Sequence, residues 1–156
     1  MRIYLAARYS RREELCGYRK ELIALGHEVR ARWLNGKHQI NDKGIPVGDD
    51  GEELVESGDP KLDKKAAALR ANFALDDWED VGAADLLVNF TEAPRSTASR
   101  GGRHVEFGIA LALSKPVIAV GYRENIFHWL PRVRFCETWD EAKRVIQAVS
   151  KEGLST

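Results

Sequence analysis

Asp85-Leu86-Leu87-Val88-Asn89-Phe90 and Val117-Ile118-Ala119-Val120-Gly121 decide the fold class. Each run is short, almost wholly apolar and bounded by turn or polar residues, so each reads as a strand buried on both faces. Between them lie a polar loop over 93–102 and an apolar helix over 105–113, and Lys115-Pro116 turns the chain into the second strand. Strand, helix and strand in this order, with strands apolar on both faces, call for a parallel sheet covered on each side.

The same alternation extends in both directions. Ile3-Tyr4-Leu5-Ala6 is a first short strand. Ser10 with Glu13 three residues on has the form of a capping box, and Leu15, Tyr18, Leu22 and Leu25 follow at helical spacing up to Gly26, a C′ glycine. A second strand is expected over 27–33. Residues 62–81 have helical composition, with Ala66, Leu69, Phe73 and several alanines. Residues 125–130 predict a short helix and 133–135 an edge strand. Thr138 with Glu141 predicts a capped last helix carrying Ala142, Val145, Ile146 and Val149. The expected architecture is α/β: an open, doubly wound, mostly parallel five-stranded sheet with helices on both faces, joined by right-handed crossovers. Ligands of such sheets sit beyond the carboxyl ends of the strands, here after residues 6, 33, 90 and 121.

Residues 35–60 break the pattern. Asn35-Gly36, Asp42-Lys43-Gly44, Asp49-Asp50-Gly51 and Gly58-Asp59-Pro60 are turn signals in close succession. A stretch this long without its own elements is either a mobile lid or a surface insertion. No internal repeat or domain boundary is evident.

Composition removes several function classes. The chain has 156 residues, 44% of them hydrophobic and 31% charged, and its 24 Lys+Arg balance 24 Asp+Glu. Zero formal charge argues against a nucleic-acid coat or a polybasic membrane binder. The apolar runs are too short to span a bilayer or to serve as a signal peptide. Cys16 and Cys136 stand far apart, and His27, His38, His104 and His128 show no ligand spacing, so neither a disulfide framework nor a metal is expected. The expectation is a cytoplasmic protein without a cofactor.

Three places carry chemistry. The first is Arg100-Gly101-Gly102-Arg103-His104-Val105-Glu106-Phe107-Gly108. At 100° per residue Glu106 falls within an apolar stripe, where an ionised carboxylate is costly unless given donors. It either satisfies the start of its own helix or serves a ligand, and the glycine pair lets backbone approach that ligand closely. The second is Asp76-Asp77-Trp78-Glu79-Asp80. Asp76, Glu79 and Asp80 read as a solvated acidic face. One carboxylate turned to the crevice would pair with Glu106 as equipment for glycosyl chemistry. The third is Arg8-Tyr9-Ser10-Arg11-Arg12, which either is an ordinary basic helix start, somewhat unfavourable against the dipole, or with Ser96, Thr97, Ser99, Arg100 and Arg103 surrounds an anionic or polar sugar end.

These pieces, in this order, resemble the nucleoside 2-deoxyribosyltransferase family, including its relatives that hydrolyse deoxynucleoside 5′-monophosphates. The matching residues are Ile3-Tyr4-Leu5-Ala6-Ala7, Asp77 through Ala84-Asp85, and Gly102-Arg103-His104-Val105-Glu106-Phe107-Gly108-Ile109-Ala110-Leu111-Ala112 with Lys115-Pro116-Val117. The resemblance covers most of the chain outside 35–60. It implies one flavodoxin-like domain over 1–156 with an insertion around 35–60. It also implies Glu106 as a nucleophile forming a covalent deoxyribosyl-enzyme, Asp77 as the carboxylate that holds and protonates the base, and Tyr4 beside the nucleophile. Arg8, Tyr9, Ser99, Arg100, Gly101 and Gly102 are expected around the substrate. The family pairs into dimers or assemblies of dimers, and Asn125 and His128 fall where a neighbouring subunit would contribute. No cofactor, membrane or nucleic-acid polymer is implied, only a nucleoside or nucleotide and a free base. Free-nucleoside transferases carry an aspartate six residues before the nucleophile, where this chain has Arg100. The monophosphate-cleaving relatives carry a serine, and Ser99 is one position away. The alternatives are therefore transfer between free bases, hydrolysis of a 5′-monophosphate with Arg8, Ser99 or Arg100 on the phosphate, and a nucleotide-binding module without turnover.

Overall fold

The computed structural model describes residues 1–36, 60–96 and 101–152. Most of the 35–60 stretch, together with Thr97, Ser99 and Arg100, lies outside the described residues. Five parallel strands form one sheet: β1 (Arg2–Ala6), β2 (Glu28–Val29), β3 (Leu86–Phe90), β4 (Val117–Val120) and β5 (Val133–Cys136), in the order β2-β1-β3-β4-β5. This is the flavodoxin-like order, with its switch point between β1 and β3. β3 and β4 are buried along their whole length, as strands covered on both faces must be.

Helices α1 (Arg12–Ala24) and α4 (Trp139–Glu152) cover one face, where Tyr18 of α1 and Trp139 of α4 stack at 4.7 Å and Tyr18 lies 5.4 Å from Phe90 of β3. Helices α2 (Pro60–Ala83) and α3 (Gly102–Ala112) cover the other, reaching Tyr4 of β1 through Asp77 and Glu106. Tyr4 pairs in register with Leu87, and Ala6 with Asn89, so the polar groups of this face line up across the switch point. The Lys115 ammonium donates to the Gly82 and Ala84 carbonyls at 2.7 Å each. That pins the last turn of α2 beside the loop entering β4, with a cation where the helix dipole favours one.

Two sequence expectations fail for identifiable reasons. The strand expected over 27–33 ends at Val29, although Arg30 still donates to the Ile3 carbonyl at 2.9 Å. Beyond it the Arg32 amide goes to the Asp80 carboxylate at 2.8 Å, and the Trp33 indole donates to the Leu5 carbonyl at 2.8 Å. Both hydrogen bonds take the place of ladder partners, and 32–35 winds into a 3-10 turn. The Ser10 capping box does not form, because Ser10 sits inside a 3-10 turn over 9–11 and α1 begins after Arg11. Arg11 pairs with Glu14 there instead, at 2.7 Å. At α4 the box holds in altered form: Thr138 Oγ1 accepts from the Glu141 amide, while the Glu141 carboxylate takes the Glu137 amide. Gly26 is a left-handed C′ residue, as read, at φ +84°.

Gly121 ends β4 at φ +110°, and a Cβ there would stand 3.3 Å from both the carbonyl and the hydroxyl oxygen of Thr91. That hydroxyl is already committed, donating to the Val120 carbonyl and accepting from the Tyr122 amide. Gly121→Ala combines backbone strain with displacement of this clasp and is expected to lower stability by about 1–3 kcal/mol. Urea unfolding checks it; a midpoint equal to wild type would show that the turn relaxes freely.

Candidate active site

Glu106 is the fifth residue of α3, one turn in from its start, so it does not cap its own helix. The left-handed residue Gly101, at φ +82°, turns the chain into α3, and its carbonyl accepts from the His104 amide at 2.8 Å. Gly102, by contrast, is open: a Cβ there would meet nothing within 4 Å. The turn so formed brings Glu106 inward over β1. There the Tyr4 hydroxyl lies 2.9 Å from Glu106 Oε1 and 3.3 Å from Asp77 Oδ1, and Tyr4 is fully buried. Glu106 Oε2 is buried with no hydrogen-bond partner among the described residues.

The three groups form an acid cluster in a dry setting. Burial, reinforced by the Asp77 charge, pushes Glu106 up to about 8, against the Tyr4 hydrogen bond and the Arg103 charge that lower it. Burial likewise pushes Asp77 up to about 7, with Asp80 and Asp76 adding to the rise while Tyr4 and Arg32 oppose it. The Tyr4 phenol is held well above its ordinary range by burial and by both carboxylates. A phenol has one proton to give. When it donates to Glu106, the short approach to Asp77 requires Asp77 to be the protonated partner, donating to the phenol oxygen. The carboxylates titrate as a pair and share one proton around neutrality.

The other sequence-predicted residues are distributed around this centre. Arg8 lies just past β1, half-buried; its backbone carbonyl accepts from the Arg11 amide at 3.0 Å, and its guanidinium has no hydrogen-bond or ion-pair partner among the described residues. Tyr9 packs against Trp33, ring centres 6.2 Å apart. The neighbouring cations are committed to the fold. Arg11 binds Glu14, Glu92 and the Thr91 carbonyl, and Arg12 the Leu34 carbonyl. Arg103 was expected around the sugar end, but it is buried and bonded to Glu124, which also lies 3.5 Å from His104.

Asn125 caps a 3-10 turn over 126–129, its side chain accepting from the Phe127 amide at 2.9 Å. His128 is fully buried beneath it. Its Nδ1 accepts from the Asn125 amide at 3.2 Å, and its Nε2 lies 3.1 Å from the Asn89 side-chain amide. Asp80 corrects the solvated-face expectation, because it is fully buried and bound by Arg30 and Arg32; Asp76 and Glu79 also pair with Arg32. Asn89, Glu124 and Arg32 were not singled out from sequence. Asn89 did carry a signal, as a polar residue inside the most apolar strand. Among the described residues no group of three or more His, Cys, Asp or Glu is placed to hold a metal ion, and no helix is long and apolar enough to cross a membrane.

No protein-family model matches the sequence, and no curated protein matches it. Among solved structures, that of a Clostridium botulinum CMP N-glycosidase is similar: 18% identical, with a TM-score of 0.49, over 96% of this chain and 98% of that one. At that identity and score the likeness carries nothing about chemistry.

The burial of Glu106 has a thermodynamic signature. A carboxyl whose folded pKa is raised contributes most below its unfolded pKa, and that contribution is lost as pH rises through the folded value near 8. Glu106→Gln has no charge to bury. Its melting temperature should gain on wild type by several degrees between pH 5 and pH 9, at roughly 2–4 °C per kcal/mol for a chain of this size. A gap that stays constant across this range would mean Glu106 is solvated.

Proposed function

We propose that this protein is an enzyme that breaks the N-glycosidic bond of 2′-deoxyribonucleosides and transfers the deoxyribosyl group between bases, through a covalent ester on Glu106. The observation that carries the proposal is the single buried phenol joining two carboxyls, Glu106 at 2.9 Å and Asp77 at 3.3 Å. Two oxygens bound to one phenol lie no more than about 6 Å apart, closer than the ~6.5 Å and upward of carboxyl pairs that admit a water between them and invert. A nucleophile and a proton carrier at this spacing suit double displacement.

In the first step a Glu106 carboxylate oxygen bonds to C1′. The C1′–N bond breaks with its electron pair going to the base, and Asp77 delivers its proton to that base. In the second step a nitrogen of an incoming base attacks C1′ and releases Glu106, and the Asp77 carboxylate takes up the proton from that nitrogen. Two inversions give net retention. The reactive form carries the shared proton on Asp77 rather than on Glu106, the weaker acid of the two, and in that form the Tyr4 hydrogen bond stabilises the Glu106 anion until attack begins. The substrate needs neither metal nor cofactor in this scheme.

Hydrolysis of the N-glycosidic bond of a 2′-deoxynucleoside 5′-monophosphate is a second reading, favoured by one observation: Arg8, at the carboxyl end of β1, has a guanidinium without a partner among the described residues, suited to a phosphate. Pairing of two copies belongs to the same proposal. It is supported by the exposed Ile126, Phe127 and Trp129 beside Asn125.

Incubation with deoxyadenosine and a second base should yield free adenine and a new deoxynucleoside on chromatography. Release of adenine from deoxyadenosine 5′-monophosphate alone would select the second reading, and no turnover of either would leave a binding module. kcat/KM should peak between the titrations of the pair, about 7 and about 8. Below both no nucleophile is ionised, and above both no acid remains. Asp77→Asn should slow poor leaving bases most, whereas equal loss for activated leaving groups would make Asp77 a positioning group.

Ribose should react on the order of 100-fold more slowly, roughly 2.7 kcal/mol of barrier. Its 2′-hydroxyl lies on the face from which Glu106 attacks and opposes positive charge at C1′. Equal kcat/KM for adenosine and deoxyadenosine would remove the preference for deoxyribose.

A further inference from the structure

Asp77 stands among three acidic residues of α2 that all go to one arginine. Arg32 Nη1 meets Asp76 Oδ1 at 2.9 Å, Nη2 meets Glu79 Oε2 at 2.9 Å, and Nε meets Asp80 Oδ1 at 3.0 Å. Its Nη2 also reaches the Asp76 carbonyl at 3.1 Å, and its backbone amide holds Asp80 Oδ2 at 2.8 Å. Arg30 approaches the same fully buried Asp80 at 3.4 Å. The Arg32 side chain is 40% exposed and that of Glu79 64%, so those contacts lie at the surface, but Asp80 is fully buried and the planar guanidinium meets all three carboxylates and a carbonyl in fixed directions.

At 100° per residue, Asp76, Glu79 and Asp80 fall within an arc of about 100°, and Asp77 stands about 60° beyond Asp80. A grip on that arc sets the rotation of this part of the helix, and with it the direction of Asp77. Side-chain tips lie roughly 5–6 Å from a helix axis, so a turn of about 15° carries the Asp77 carboxyl ~1.4 Å. A displacement of that order in a reacting group is worth on the order of 100-fold in rate.

We infer that Arg32 is a positioning residue: by gripping Asp76, Glu79 and Asp80 together it aims Asp77 at Tyr4 and at the base beyond it. The inference rests on the proton-transfer role proposed for Asp77 above. The charged and titratable groups around Asp77 are Tyr4 on β1, Glu106 on α3, Asp76 and Asp80 on α2, and Arg32 itself; of these Arg32 and the Tyr4 hydrogen bond favour the Asp77 anion. Charge and aim are separable. Lysine keeps the charge but, as a single point, cannot span three carboxylates. Glutamine loses the charge and keeps one donor pair.

The test uses Arg32→Lys and Arg32→Gln in the full chain, each checked for a cooperative melt, with Lys as the milder change if Gln fails to fold. Two readouts are taken: the nuclear Overhauser signal between the Tyr4 ring and the Asp77 β-protons, and kcat and KM for a deoxynucleoside with a poor leaving base. The expected result is disappearance of the signal in both variants and a fall in kcat on the order of 100-fold with KM little changed. By NMR, Asp77 should titrate higher than wild type only in Arg32→Gln. An Overhauser signal that survives in Arg32→Lys would overturn the inference, whether or not kcat falls. Disappearance of the signal, with a wild type that itself turns over no nucleoside or nucleotide, would uphold the positioning and sink the proposed activity instead.

Discussion

One phenol holds two carboxyl groups together in a place where neither would choose to ionise. The Tyr4 hydroxyl reaches Glu106 and Asp77 from the middle of β1, and burial raises both acids towards neutrality. Two unpaired carboxylates at this depth would repel each other and lack solvation. Sharing a proton through the phenol is what makes the arrangement tolerable. The same sharing leaves one group poised as a base or nucleophile and the other as an acid within a single proton shift. The chemistry proposed for the site and its electrostatic strain thus have the same origin.

The fold arranges this meeting by topology. β1 and β3 flank the point where strand order reverses, α2 and α3 lie on the same face, and the two acids descend from those helices onto β1. Each helix is tied down beside the cluster by ionic contacts. Lys115 holds the carbonyl end of α2, Arg32 grips the acidic turn around Asp77, and Arg103 with Glu124 anchors the first turn of α3. The buried Asn89–His128–Asn125 contacts fix the turn over 126–129 next to that anchor. Charged residues on this face therefore divide into the pair that is strained and the larger number that hold the strain in place.

Much of this was legible in the residues. The doubly wound sheet followed from two both-face apolar strands, because no other environment buries them. Glu106 stood out as a carboxylate within an apolar stripe, and Asp77 by its place in the resemblance. What escaped was long-range partnership. The missing Ser10 cap is a local exception: a 3-10 turn over 9–11 puts the start of α1 beyond Ser10. Nothing near Trp33 signals that its indole and the Asp80 carboxylate consume the hydrogen bonds of a longer β2. Asp80 looked like solvated surface because its partners, Arg30 and Arg32, lie some fifty positions earlier in the chain. Arg103 looked like a ligand-binding group for the same reason, since Glu124 lies across a helix and a strand. Periodicity reports which face is buried; it does not report which charges meet there.

The central claim is that Glu106 becomes covalently bonded to the sugar. It is tested most directly by mixing the protein with a slow deoxynucleoside substrate, quenching in acid, and measuring the intact mass followed by peptide mapping. The account predicts one added deoxyribosyl group per chain, located on the peptide containing Glu106 and absent from Glu106→Gln. Turnover of the substrate with no adduct at any quench time, or an adduct that persists in Glu106→Gln, would contradict it.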